Sequence, residues 1–249
     1  MAIKLGLIGY PLGHSFSKTY FSEKFEKAGI TDQSYENYPI ADIRELPSLI
    51  HSNPDLIGLN VTIPYKEQVL PFLHEIDSEA AQAGAVNTIR IQRSNGEFFL
   101  KGYNTDIYGF AMSIKPFLLS SHYRALILGN GGASKAVVAV FKKLGIDYRI
   151  VSRNPSQGQL QWNELNKDMI RHFPVIVNTT PLGMHPHVED CPPLPFEGID
   201  ASHFCVDLIY NPEKTIFLKR AEERGAVVLN GLTMLKLQAE KAYEIFMAE

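Results

Sequence analysis

The chain is short of the residues that build cross-linked or membrane-bound proteins. Only two cysteines occur in 249 residues, Cys191 and Cys205, so no disulfide framework is available. No group of Cys and His has the spacing of metal ligands, and no metal is expected. No stretch reaches the ~18 apolar residues that a membrane span requires. The apolar run at 3–8, closed by Gly9 and Pro11, is too small for a secretory core and reads as a first strand. Charge of one sign is also lacking: the formal net charge is −3, which leaves no basic footprint for nucleic acid or an anionic membrane. There is no internal repeat and no low-complexity segment. What is present is 45% hydrophobic residues, enough to bury a core in one large domain or two small ones. A cytoplasmic globular protein is expected. Composition names no chemistry.

Strand and helix patterns alternate along the chain. Residues 35–40 and 56–62 read as strands after the first. Helical spacing marks 17–28, where Phe21, Phe25 and Ala28 share a face and Gly29 is a stop, then 43–51, 67–73 and 79–83. Strands at 86–92 and 98–102 flank Ser94-Asn95-Gly96, a hairpin signal. The first ~105 residues therefore read as an α/β unit with an antiparallel addition. A second unit follows: helix 107–119, strand 124–128, helix 133–144, then strands at 147–151, 175–178, 204–208 and 226–229 with helices between. Residues 185–195 are Pro-rich and read as loop, and 232–246 is a closing helix. Alternation of this kind predicts parallel sheets covered by helices, with ligands beyond the carboxyl ends of the strands.

The polar motifs fall at those strand ends. Gly129-Asn130-Gly131-Gly132-Ala133 joins a strand to a helix. Glycines there let backbone N–H groups approach a pyrophosphate at the positive end of the helix. Ser134 stands where a G-x-G-x-x-G pattern would place its third glycine, and a ligand-free tight turn is the plainer alternative. The next strand ends in Ser152-Arg153-Asn154. An NAD site usually carries Asp or Glu there; a guanidinium suits the 2′-phosphate of NADP. Asn60-Val61-Thr62-Ile63-Pro64-Tyr65-Lys66 follows another strand, although a lone Lys66 is more often a surface residue. Gly84-Ala85-Val86-Asn87-Thr88 and Asn104-Thr105-Asp106 each put Asn and Thr at strand ends, where turn capping is the simpler reading. Ser15 and Ser17 either cap a helix or donate to a substrate carboxylate.

Their order is more telling than any one of them. Gly-x-Pro-x-x-His-Ser-x-Ser from Gly9, Asn-Val-Thr-Ile-Pro-x-Lys from Asn60, Gly-Ala-Val-Asn-Thr, Asn-Thr-Asp, the glycine turn, and Gly-Leu-x-Met-Leu-x-x-Gln ending at Gln238 together resemble the shikimate dehydrogenase family. Segments 178–184 and 207–212 resemble family segments too. The resemblance implies an α/β protein of two domains: an N-terminal, mainly parallel substrate domain, 1–106 plus 235–249, and a C-terminal Rossmann-like NADP-binding domain, 107–234. It implies reversible, NADPH-dependent reduction of 3-dehydroshikimate to shikimate in aromatic amino-acid precursor (chorismate) synthesis. No exposed apolar stripe or heptad announces a partner, and a monomer or a homodimer is expected. The resemblance implies that Ser15 and Ser17 hold the substrate carboxylate, and that Asn60, Thr62, Asn87, Gln238 and Tyr210 surround the ring. Lys66 and Asp106 match the catalytic pair. Gly129 to Ala133 match the pyrophosphate turn, Ser152, Arg153 and Asn154 the adenosine-phosphate segment, and Thr180, Ile209 and Gly231 the nicotinamide side.

Departures from the family pattern are Lys18, Tyr20 and Phe21 after the serines, Ile107 after the Asn-Thr-Asp, and the absence of a second basic residue between Arg153 and Lys167. A quinate/shikimate dehydrogenase using NAD or both cofactors is the near alternative, and an inactive dinucleotide-binding regulator the remote one. In the main reading, negative charge develops on a ketone oxygen as hydride arrives, and with no metal expected Lys66 is the cation to meet it, coupled to Asp106.

Overall fold

The structure, a computed structural model, describes residues 2–13 and 16–248. Ser15, expected at the substrate carboxylate, therefore lies outside the described residues. The backbone divides into two compact units, residues 1–105 with 239–249, and residues 106–238.

The first unit contains β1 (Ile3–Gly9), α1 (Phe16–Ala28), β2 (Gln33–Pro39), α2 (Leu46–Ser52), β3 (Leu56–Val61), α3 (Tyr65–Gln68), β4 (Glu75–Ile76), α4 (Ser78–Ala83), β5 (Thr88–Ser94) and β6 (Glu97–Tyr103). Its sheet has the order β2-β1-β3-β5-β6-β4. The β1 strand pairs in parallel with β2 and β3; β5 adds antiparallel to β3, and β6 antiparallel to β5. Side chains alternate across the sheet. Leu5 and Leu7 join Phe21, Phe25, Tyr35 and Phe246 on one face. Ile8 joins Leu46, Ile50, Leu59 and Val61 on the other. The period of two along β1 thus serves two separate cores.

The second unit contains α5 (Thr105–Ile114), β7 (Arg124–Leu128), α6 (Gly132–Leu144), β8 (Asp147–Ser152), β9 (Leu160–Gln161), α7 (Lys167–His172), β10 (Val175–Asn178), β11 (Phe204–Asp207), α8 (Ile216–Glu222), β12 (Val227–Leu229) and α9 (Leu232–Met247). The first residue of α5 belongs to the first unit, as does the last half of α9, where Ala239, Ala242 and Phe246 enter its core. The sheet runs β12-β11-β10-β7-β8-β9, and every pairing is parallel. After β8 and β9 the chain returns to the other side of β7. The reversal leaves a crevice beyond the carboxyl ends of β7 and β10, where doubly wound sheets take their ligands.

Two helices are shorter than their periodicity predicts. The expected helix 107–119 becomes α5 followed by a 3-10 turn, Lys115–Phe117. The expected helix 67–73 starts earlier, as α3, and gives way to a 3-10 turn, Leu70–Phe72. A proline sits in each 3-10 turn, Pro116 and Pro71. Proline has no N–H for an α-helical bond and disfavours the helical conformation in the residue before it. Apolar spacing carried the predicted helix past both residues; backbone chemistry stops it.

Candidate active site

In the first unit the expected residues gather at the carboxyl end of β3 and the adjoining start of β5. Asn60 is buried on β3, paired in register with Thr88. Its amide Nδ2 donates to the Asn87 carbonyl at 3.4 Å and to Thr88 Oγ1 at 3.2 Å. Its Oδ1 accepts from the Tyr35 hydroxyl at 2.8 Å. The buried Asn87 in turn takes the Thr105 amide N–H on its Oδ1 at 2.7 Å, and its Nδ2 donates to Thr105 Oγ1 at 3.0 Å. Thr62 follows directly after β3, and its backbone is held to β1 by a Thr62 N–H to Ile8 carbonyl bond of 2.9 Å. Lys66 is half-buried in α3, and its carbonyl receives the Val86 N–H at 2.8 Å. The Gly84–Thr88 motif is thereby sewn onto the Asn60–Lys66 motif by backbone bonds.

Tyr35 was not expected in this set. It is 2% exposed, stacks on Phe21 with ring centroids 4.6 Å apart, and its phenol is hydrogen-bonded by Ser17 as well as to Asn60. Burial pushes the phenol up, so it stays neutral. With one hydrogen, which goes to Asn60, it accepts from the Ser17 hydroxyl. Ser17 and Asn60, read separately in the sequence, are thus joined through one buried oxygen. Asn104, next to Thr105, donates to the Ala85 carbonyl at 2.9 Å, while its buried Oδ1 has no partner among the described residues.

In the second unit Asp106 is buried in the first turn of α5. One turn on, Gly109 passes against α9: a Cβ at this glycine would lie 2.6 Å from the Met234 carbonyl oxygen and 2.9 Å from Gln238 Cβ. Only glycine allows that approach, and it sets the buried Gln238 beside α5. The Gln238 Nε2 donates to the Leu235 carbonyl at 2.9 Å. Tyr210 is exposed in the loop after β11.

The glycine turn lies beyond β7. Gly129 has φ of +107°, and a Cβ there would lie 2.8 Å from Thr179 Oγ1, so both conformation and contact require glycine. Gly131 is the N-cap of α6, and no side chain caps this helix end. A Cβ on Gly131 would meet nothing within 4 Å. A helix N-terminus without a side-chain cap fits a pyrophosphate, which its positive end favours electrostatically. Ala133 continues the first turn of α6. The Asn130 amide reaches Ser152 Oγ, the Asn154 carbonyl and Gln159 Oε1, each at 3.3 Å. It ties the glycine turn to the segment after β8. Ser152 is buried, while Arg153 and Asn154 are exposed. Gln159 was also missed; nothing in a Gly158-Gln159 turn marks it in advance.

Thr180 and Ile209 each lie two residues beyond the end of a strand, β10 and β11. Asn178 Oδ1 accepts from the Thr180 N–H at 3.0 Å and from its hydroxyl at 2.6 Å. Asp207, fully buried, accepts from the Ile209 N–H at 3.0 Å. The Gly231 N–H donates to the Ile209 carbonyl at 3.0 Å, and a Cβ on Gly231 would lie 2.0 Å from the Leu208 carbonyl oxygen. Thr180 and Ile209 are thus each anchored by a side chain at the end of a strand, and Gly231 is bonded to Ile209 through the backbone. Burial pushes the Asp207 carboxyl up to about 6, against the pull of its Thr215, Ile209 and Asn178 hydrogen bonds. Among the described residues no cluster of His, Cys, Asp and Glu could hold a metal ion, and no helix is long and apolar enough to cross a membrane.

A doubly wound parallel sheet with a glycine turn at its switch point, in a chain that also holds a second α/β unit with a polar strand-end cluster, defines a two-unit Rossmann-like α/β protein. Residues 7–89 match the family model of the shikimate dehydrogenase substrate binding domain. The shikimate dehydrogenase (NADP(+)) of Carboxydothermus hydrogenoformans is 37% identical, over 96% of this chain and 89% of its own length. The crystal structure of shikimate 5-dehydrogenase from Thermus thermophilus, in complex with NADP(H) and shikimate, aligns with a TM-score of 0.85 at 29% identity, covering 99% of this chain and 93% of that one. Quinate dehydrogenase from Corynebacterium glutamicum, in complex with NAD, aligns with a TM-score of 0.87 at 25% identity, covering 100% of this chain and 94% of that one. The chain belongs to the shikimate dehydrogenase family.

Proposed function

We propose that this chain catalyses the reversible, NADPH-dependent reduction of 3-dehydroshikimate to shikimate, an oxidoreductase reaction at a CH–OH group. The observation that carries the reading is the gathering of Asn60, Thr62, Lys66 and Asn87 at one strand end of the first unit, in a chain whose 37%-identical relative is a shikimate dehydrogenase (NADP(+)). In this reading the first unit binds substrate and the second binds cofactor. Ser15 and Ser17 take the substrate carboxylate; Asn60, Thr62, Asn87, Tyr210 and Gln238 take its ring hydroxyls. NADPH supplies hydride to the ketone carbon when bound. The backbone N–H groups of 129–133 hold its pyrophosphate, Ser152, Arg153 and Asn154 its adenosine phosphate, and Thr180, Ile209 and Gly231 its nicotinamide side.

The work of the chain is electrostatic and positional. Lys66 and Asp106 act as one coupled pair: the lysine cation meets the charge that develops on the ketone oxygen, and the pair supplies the proton that completes the hydroxyl. In the reverse direction the same pair takes that proton back. Amide groups of Asn60 and Asn87, already fixed by buried hydrogen bonds, orient the ring without reorganising. The proposal includes a cytoplasmic enzyme acting as a monomer or homodimer, which sedimentation distinguishes. The decisive assay follows absorbance at 340 nm with shikimate and with quinate, each against NADP+ and NAD+. Shikimate with NADP+ should give the highest kcat/KM. A preference for quinate with NAD+ favours the alternative reading, and cofactor binding without turnover of either substrate refutes the enzymatic one.

A further inference from the structure

Asp207 is a charged side chain with no exposure, and no motif in the sequence reading assigned it a role. It closes β11 directly beside Asn178, the last residue of β10, with which it pairs in register. Side chains at paired positions of neighbouring strands share a sheet face, and here they bond: Asn178 Nδ2 donates to Asp207 Oδ1 at 3.1 Å. The same oxygen accepts from the Ile209 N–H at 3.0 Å. The other oxygen accepts from the Thr215 hydroxyl at 2.6 Å. Asn178, with its amide so oriented, presents only its carbonyl oxygen to Thr180, which gives it both its N–H and its hydroxyl hydrogen.

We propose that Asp207 is a positioning residue for the nicotinamide half of the cofactor: through Asn178 it fixes Thr180, and through the Ile209 amide it fixes the exit of β11. The inference rests on the proposed function, in which Thr180 and Ile209 face the nicotinamide. Its physical content is directional. An acceptor-only group at Oδ1 forces the Asn178 Nδ2 toward itself, and that choice leaves the Asn178 Oδ1 for Thr180. Without the acceptor, Asn178 is released to turn, and Thr180 and Ile209 lose their common anchor. The segment 152–154 is tied to the chain through Asn130 instead, so the adenosine-phosphate contacts do not depend on the Asp207 bonds.

The test separates the two halves of the cofactor by calorimetry. Asp207→Leu removes the acceptor at similar volume; Asp207→Asn keeps an oxygen for Asn178 and Ile209 and turns its amide nitrogen to Thr215. A buried donor left without its acceptor corresponds to a five- to hundredfold loss, so Asp207→Leu should weaken NADP+ about tenfold. Affinity for 2′-phosphoadenosine diphosphoribose, which lacks nicotinamide, should stay within about twofold, and Asp207→Asn should restore NADP+ binding. Asn178→Ala, which severs only the Thr180 branch, should give the same selective loss and serves if Asp207→Leu does not fold. Equal weakening of both ligands, or unchanged NADP+ affinity in Asp207→Leu and Asn178→Ala, overturns the proposal. Failure of the parent chain to bind NADP+ at all overturns the proposed function itself.

Discussion

Removing a single oxygen, by Tyr35→Phe, tests how the substrate-side cluster is held. The ring is fully enclosed and stacked on Phe21 at 15° between planes, so phenylalanine keeps the packing. What is lost is the hydroxyl between Ser17 and Asn60. Asn60 Oδ1 is then a buried acceptor without a donor, and Ser17 loses an acceptor. A buried polar group left unpaired costs ~1–3 kcal/mol, and about 2 kcal/mol is the expected loss here, close to thirtyfold in an opening equilibrium. The loss belongs to the first unit alone. Hydrogen exchange should therefore quicken by about that factor in peptides from β1, β2 and β3, while β7, β10 and β11 keep the exchange of the parent chain. In the proposed function the KM for shikimate should rise with little change in the KM for NADP+. Unchanged protection across β2 and β3 would refute the reasoning, because it would mean that the phenol contributes nothing that phenylalanine does not. Equal acceleration in both units would also count against it.

Three further outcomes are expected. Lys66→Ala should lower kcat by ~10²–10⁴-fold with little change in shikimate affinity, as for loss of an acid–base group; near-normal turnover defeats its assignment. Arg153→Ala should raise the KM for NADP+ about tenfold and leave NAD+ use unchanged, since the exposed guanidinium would meet only the 2′-phosphate; equal loss with both cofactors removes that role. Asp207 links stability to pH: its carboxyl is raised from the ordinary 3.8 to about 6 by burial, so its ionisation destabilises the fold by about 3 kcal/mol above pH 6, and this penalty fades as pH falls from 6 toward 4. The stability difference between Asp207→Asn and the parent should therefore shift by most of that amount between pH 7 and pH 4, toward the parent at the lower pH; a constant difference contradicts it.

What was legible in the sequence was set by short-range rules. The run 124–128 followed by glycines could be placed as a strand, turn and helix because apolar continuity, φ freedom and helix spacing each act within a few residues. The same rules overextended α5, since apolar periodicity at 107–119 carries no record that Pro116 lacks an N–H. They were silent on β4 and β9, whose two residues apiece are strands only because a neighbour pairs with them. The site divided along the same line. Asn60, Asn87 and Thr180 could be suspected as polar residues at strand ends. Tyr35 could not, because a tyrosine within a strand reads as core until the partner of its hydroxyl is known, and Asn60 lies 25 residues away, beyond an intervening strand. Asp207 is the sharper case. It was visible as part of a motif, yet its use depends on standing opposite Asn178, 29 residues earlier, in a particular register. A shift of one residue in that register would turn the carboxylate to the other sheet face. Its interior position is tolerable only because three donors converge on it there. The residues that touch ligands can be marked by local chemistry, whereas those that aim them are defined by strand order and register, which no local pattern encodes.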